Sequence, residues 1–74
     1  MAIVTIDNRS FKLGYVQETM CTDCSIDSKK YYYLDLYFWE DDKMHFVRLT
    51  MAQDETTGET YIDESIPAEW FVKE

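Results

Sequence analysis

Two apolar-aromatic runs, Tyr31–Trp39 and Met44–Met51, flank the short charged segment Glu40-Asp41-Asp42-Lys43. Aromatic and β-branched side chains suit a pleated, half-buried surface. A turn at Asp41-Asp42 pairs Glu40 with Lys43. Leu36 then faces Val47, Leu34 faces Leu49 and Tyr32 faces Met51, while on the opposite side Asp35 falls across from Arg48. A slip of one residue would lose that charge pair and turn the leucines away from the core. These constraints predict an antiparallel hairpin as the centre of the fold.

The flanking segments carry weaker signals. Ile3–Ile6 and Phe11–Val16 read as strands joined by Asp7-Asn8-Arg9-Ser10, with Ile6 opposite Phe11 and Val4 opposite Leu13. Gln17–Lys30 has no clear period and reads as a long connection that could hold a helical turn. Ala52–Glu59 reads as an acidic turn with Gly58 in a left-handed conformation, leading to a short strand Thr60–Ile62. Ser65 as a cap and Pro67 near the first helical position predict a short C-terminal helix carrying Trp70 and Phe71. The expected fold class is mainly β (β or α+β): one small domain over residues 1–74, an antiparallel meander of about five strands with a short C-terminal helix. The Asp7–Ser10 and Glu40–Lys43 tips should share one end of the sheet.

Composition limits the function classes. The chain has 74 residues, 15 Asp+Glu against 7 Lys+Arg, and a formal net charge of -8. At 46% hydrophobic and 16% aromatic it is too rich in apolar side chains for a disordered acidic tail. The excess of acid argues against direct nucleic-acid binding, which rests on phosphate neutralisation by Lys and Arg, and against an anionic membrane surface. No run reaches the ~18 apolar residues of a membrane span, and the N-terminus has no export signal, so a cytoplasmic location is expected.

Chemical motifs are sparse. Cys21 and Cys24 have the spacing of half a zinc site, but no second pair follows. A small metal-binding module through these two cysteines is therefore an alternative, and the leading expectation is no metal and no cofactor. His45, the sole histidine, should face the core beside Phe38. Gly14 and Gly58 belong to no phosphate-binding loop, and no spacing assembles a nucleophile with a base. Catalysis is not expected.

The far side of the central hairpin is the informative feature. There Tyr33, Tyr37, Trp39 and Phe46 surround the Asp35–Arg48 pair, with Asp41 and Asp42 at one end and Asp54 and Glu55 at the other. Aromatic side chains are enriched at interfaces because they bury large areas with few lost rotamers. These residues predict a protein-binding face whose natural complement is a protein with a basic surface. A nucleic-acid-processing enzyme is the concrete candidate, occupied by an acidic inhibitor acting as a DNA mimic. Anti-restriction and anti-CRISPR proteins of phages and mobile elements offer an analogy of size and charge alone. The alternative is a homodimer or assembly subunit joined through the aromatic face.

Overall fold

The computed structural model describes residues 2–26 and 29–73, with the side chains of residues 21–26 outside the description. The described residues form seven strands: β1 (Ile3–Ile6), β2 (Arg9–Lys12), β3 (Tyr15–Ile26), β4 (Lys29–Glu40), β5 (Lys43–Asp54), β6 (Thr60–Ile62) and β7 (Glu69–Lys73). β1 and β2 form a separate two-stranded sheet. The other five form a second sheet in the order β3-β4-β5, with β6 and β7 sharing the outer edge of β5. All pairings are antiparallel. No helix of the described residues is long and apolar enough to cross a membrane.

The central hairpin has the expected register. Glu40 pairs with Lys43, Asp35 with Arg48, Leu36 with Val47, Leu34 with Leu49 and Tyr32 with Met51, and the pairing runs on to Lys29 opposite Asp54. Asp41 and Asp42 both adopt positive φ, 54° and 61°. That is the mirror-image two-residue turn whose twist matches its flanking strands.

The first hairpin keeps the expected faces but not the expected pairs. Asp7 and Asn8 form another two-residue turn with positive φ, 52° and 64°, so Val4 pairs with Phe11 and Ile6 with Arg9. The shift of two residues leaves Val4, Ile6, Phe11 and Leu13 on the core side, since side chains alternate with period two. It also brings Arg9 to that side.

Three further expectations are corrected. Gln17–Lys30 is not a connection: β3 covers most of it, pairs with β4 and shifts register between Met20 and Ser25. The C-terminal helix is absent, and Glu69–Lys73 is strand β7 along residues 44–48 of β5. A single five-stranded meander is replaced by two sheets, because the chain changes layer at Gly14. There the Gly14 N–H donates to the Tyr37 carbonyl oxygen at 2.7 Å, and a Cβ would stand 3.0 Å from that same oxygen.

The β1–β2 hairpin packs on one face of the larger sheet and closes the core between them. Phe11, Leu36, Phe38, Val47 and Leu49 are buried, with Val4, Ile6, Leu13, Leu34, Ala68 and Trp70 packed against them. Phe11 stacks on Phe38 at 4.2 Å, and Trp70 meets both rings edge-on at 6.0 and 6.2 Å. Each fully buried side chain of this kind stabilises the fold by about 1.5–3 kcal/mol. Arg9 closes the tip: its guanidinium lies 4.4 Å from the Trp70 ring centroid and donates to Glu40 Oε1 at 2.9 Å. The two hairpin tips thus share one end of the molecule, as expected.

Candidate protein-binding face

The antiparallel register sets one ring on each of four strands into a single row across the sheet. Tyr15 of β3 stacks on Tyr37 of β4 at 4.5 Å, Tyr37 on Phe46 of β5 at 4.9 Å, and Phe46 on Phe71 of β7 at 4.7 Å. Cross-strand aromatic pairs of this kind contribute about 0.2–1 kcal/mol each. Among the described residues no element packs over this face, since the β1–β2 hairpin lies on the other.

The neighbouring row is polar. Gln17, Asp35, Arg48 and Glu69 follow one another across the same four strands. Arg48 holds Asp35 through two parallel bonds, Nε to Oδ1 at 2.9 Å and Nη2 to Oδ2 at 3.0 Å. Its guanidinium also lies over Tyr33 at 4.8 Å, Phe71 at 5.7 Å and Phe46 at 5.8 Å. The hydrogen bond to Asp35 is the main cause that raises the Arg48 pKa above its ordinary value, against the opposing effect of burial. Asp35 is 2% exposed although no element of the described residues is layered above it. Its burial comes from the arginine and rings beside it.

The expected site residues therefore divide. Tyr33, Asp35, Tyr37, Trp39, Phe46 and Arg48 do share one face. Within it Trp39 is 67% exposed and Tyr37 only 6%. Tyr37 is enclosed by the rings of Tyr15 and Phe46 and by the Lys73 ammonium 5.5 Å away, so it supports the face rather than projecting from it. Asp41 and Asp42 sit in the turn at one end. Asp54 ends β5 at the other, where its Oδ1 accepts from the Thr56 and Thr57 N–H groups and folds the turn that carries Glu55. Gly58 takes the expected left-handed conformation there, φ 78°. Tyr15 and Phe71 complete the aromatic row and were not expected. The alternation of Phe71 with Trp70 was the available signal at the C-terminus, and residues 15–20 carried none.

Charge is unevenly placed. By register, among the described side chains the aromatic face carries Asp35, Asp54 and Glu69 against Lys29, Arg48 and Lys73, a neutral balance. The acidic excess lies off it: Asp7, Asp41 and Asp42 on the two tips, Glu55 and Glu59 beyond the opposite end, and Asp63 and Glu64 in the β6–β7 connection. The Asp63 carboxyl is held below its ordinary value chiefly by the Ser65 hydroxyl and N–H that donate to it. Lys29 is held above its ordinary value, first by a side-chain hydrogen bond with Tyr61.

Other chemistry has little to build on among the described residues. His45 faces the core as expected, stacked on Phe38 at 5.4 Å with Nε2 2.9 Å from the Glu40 carbonyl oxygen. An open groove of about 350 Å³ between β1 and the β6–β7 connection has an apolar floor that includes Leu49, Ile62 and Ile66, and its titratable groups are Asp7 and Glu64. The backbone of Cys21 and Cys24 belongs to β3, and the side chains that a metal module would use lie outside the described residues. Comparison with protein-family models, with curated proteins and with solved structures finds no match.

Proposed function

We propose that this chain is a non-enzymatic protein-binding domain that docks its aromatic sheet face on a protein with a basic surface. The observation that carries this reading is the four-ring row with no element above it among the described residues, beside a Trp39 that is 67% exposed. A contiguous aromatic patch of this kind marks interaction sites in small proteins. Trp39 and Tyr15 are the exposed anchors. The Asp35–Arg48 pair is already made before docking, so little side-chain entropy is lost there on binding.

The acidic groups act on encounter. Carboxylates at both ends of a molecule 42 Å long bracket the neutral aromatic centre. Such a field steers a basic partner and sets its orientation, while the desolvated rings hold it. Nucleic-acid-processing enzymes present extended basic surfaces, and an acidic inhibitor covering one would exclude nucleic acid. This role agrees with the net charge of -8, which disfavours direct nucleic-acid binding by the chain itself.

The test is capture from host lysate on the immobilised chain at about 50 mM NaCl, followed by release with excess duplex DNA or about 500 mM NaCl. Expected are basic nucleic-acid-binding proteins that DNA and salt displace. Trp39→Ala should shorten residence, and Asp41→Lys with Asp42→Lys should slow association. Recovery of no basic protein, or equal capture by all the variants, refutes the proposal.

A further inference from the structure

We infer that the free edge of β3 joins a second copy of this chain in an antiparallel pair, making one continuous sheet across a two-fold axis. This goes beyond the docking face above and uses the strand's edge rather than that face, with Tyr15 common to both.

β3 hydrogen-bonds to β4 on one side only, and among the described residues no element covers its other side. Every residue from Tyr15 to Met20 is exposed, including Val16 at 46% and Met20 at 68%. An uncovered edge exposes a row of unpaired N–H and C=O groups. Natural proteins guard such edges with lysine, proline or inward-pointing charge. This stretch has no lysine, arginine or proline, and Glu18 is its one charged residue.

The sequence of the edge accommodates a second copy of itself and disfavours one register. Centring an antiparallel self-pair on Gln17 sets Tyr15 opposite Thr19 and Val16 opposite Glu18, with no like charges facing. Centring on Glu18 would oppose two carboxylates, which is unfavourable. The Gln17 register places both aromatic faces on one side of the joined sheet and both β1–β2 hairpins on the other, so neither layer obstructs the joint.

The opposite edge explains why the assembly stops at two. It is split between β6 and β7, and the connection from Asp63 to Ala68 interrupts it beside Thr50 and Leu49. Head-to-tail growth would need that edge to be continuous, whereas a two-fold joint through β3 uses the same edge twice and closes. A short edge-to-edge joint is smaller than the roughly 1,000 Å² of a tight complex, so the dimer is weak and depends on concentration.

Salt separates this joint from the docking function. Two copies at -8 each repel, and screening that repulsion strengthens self-association, whereas docking to a basic partner weakens with salt. Sedimentation velocity over about 10 µM to 1 mM, at about 50 and 500 mM NaCl, reads the difference. Expected is a monomer–dimer equilibrium that shifts to dimer with salt. Gln17→Lys, which opposes two ammonium groups on the axis, should weaken it roughly threefold or more. Val16→Lys, which faces each new lysine with the other copy's Glu18, should strengthen it by a similar factor. Trp39→Ala should leave it unchanged. A monomer at the highest concentration and salt overturns the inference, as do species larger than a dimer, weakening by Val16→Lys, or loss of the dimer in Trp39→Ala. Circular dichroism of each variant establishes that its fold is intact.

Discussion

Removing one member of the Asp35–Arg48 pair should have a different cost depending on which member goes. The Asp35 side chain is 3% exposed and that of Arg48 is 31% exposed. Arg48→Met therefore strands a carboxylate that water reaches poorly, and the loss of a buried charge's partner costs about 3–5 kcal/mol. Asp35→Asn keeps the volume and one acceptor, and the guanidinium retains both its solvent contact and the rings of Tyr33, Phe46 and Phe71. The loss there is that of charge-assisted hydrogen bonds to a group with other recourse, about 1.5–3 kcal/mol. A 74-residue domain has about 4–11 kcal/mol to lose, so Arg48→Met removes a large part of it. At about 4–8 °C per kcal/mol the two variants should melt many degrees apart. Replacing both residues at once, Asp35→Leu with Arg48→Met, leaves no stranded charge and should recover much of the loss. Urea unfolding followed by circular dichroism at neutral pH measures all four chains. Equal costs for the two single variants, or a double variant as weak as Arg48→Met, would refute the view that Asp35 depends on its arginine for burial.

Three other outcomes follow from local geometry. Gly14→Ala should lower the melting temperature by an amount equivalent to about 1–3 kcal/mol, because its Cβ meets the Tyr37 carbonyl oxygen at 3.0 Å and pushes against a backbone hydrogen bond. Asp42→Gly should raise it by the equivalent of about 0.5–1 kcal/mol, since glycine adopts the φ of 61° without steric cost, and thermal melts of the two variants side by side check both signs. Asp63→Asn tests acid stability. A carboxyl held below its ordinary value of 3.8 stabilises the fold above that pH and loses the contribution as pH falls through the lower folded value. The variant should be the less stable near neutrality, and its deficit should shrink below about pH 4 in unfolding curves taken across that range.

What could be read from the sequence depended on whether an error would have cost anything. In the central hairpin a slip of one residue separates Asp35 from Arg48 and turns Leu34 and Leu36 outward, so only one register satisfies the pattern. In the first hairpin a shift of two residues leaves every apolar residue on its proper face. Hydrophobic pattern cannot choose between the two pairings there, and the choice falls to the turn, where Asp7 and Asn8 tolerate positive φ. The turn also decides what Arg9 does, since only the tighter pairing brings its guanidinium over Trp70.

β3 and β7 were hidden for a different reason: each is a strand because of its neighbour. Gln17, Glu18 and Thr19 bury nothing and have no alternating pattern, yet β4 has a second hydrogen-bonding edge to satisfy, and Tyr15 supplies the ring that continues the row from Tyr37. At the C-terminus Ser65 and Pro67 resemble a helix start, but the Ser65 N–H donates to Asp63 in a tight turn. The alternation of Trp70 toward the core and Phe71 onto the aromatic row then fits the free edge of β5. The same dependence governs the candidate site. Tyr33, Tyr37, Trp39 and Phe46 could be placed on one face from the hairpin alone, whereas the neutrality of that face could not, because Lys73 and Glu69 reach it only once β7 has docked. In the proposed docking, a face that is neutral at its centre and acidic at both ends divides attraction from adhesion between different residues. Charge variants at Asp41 and Asp42 should therefore act on association rate, and ring variants at Trp39 and Tyr15 on dissociation.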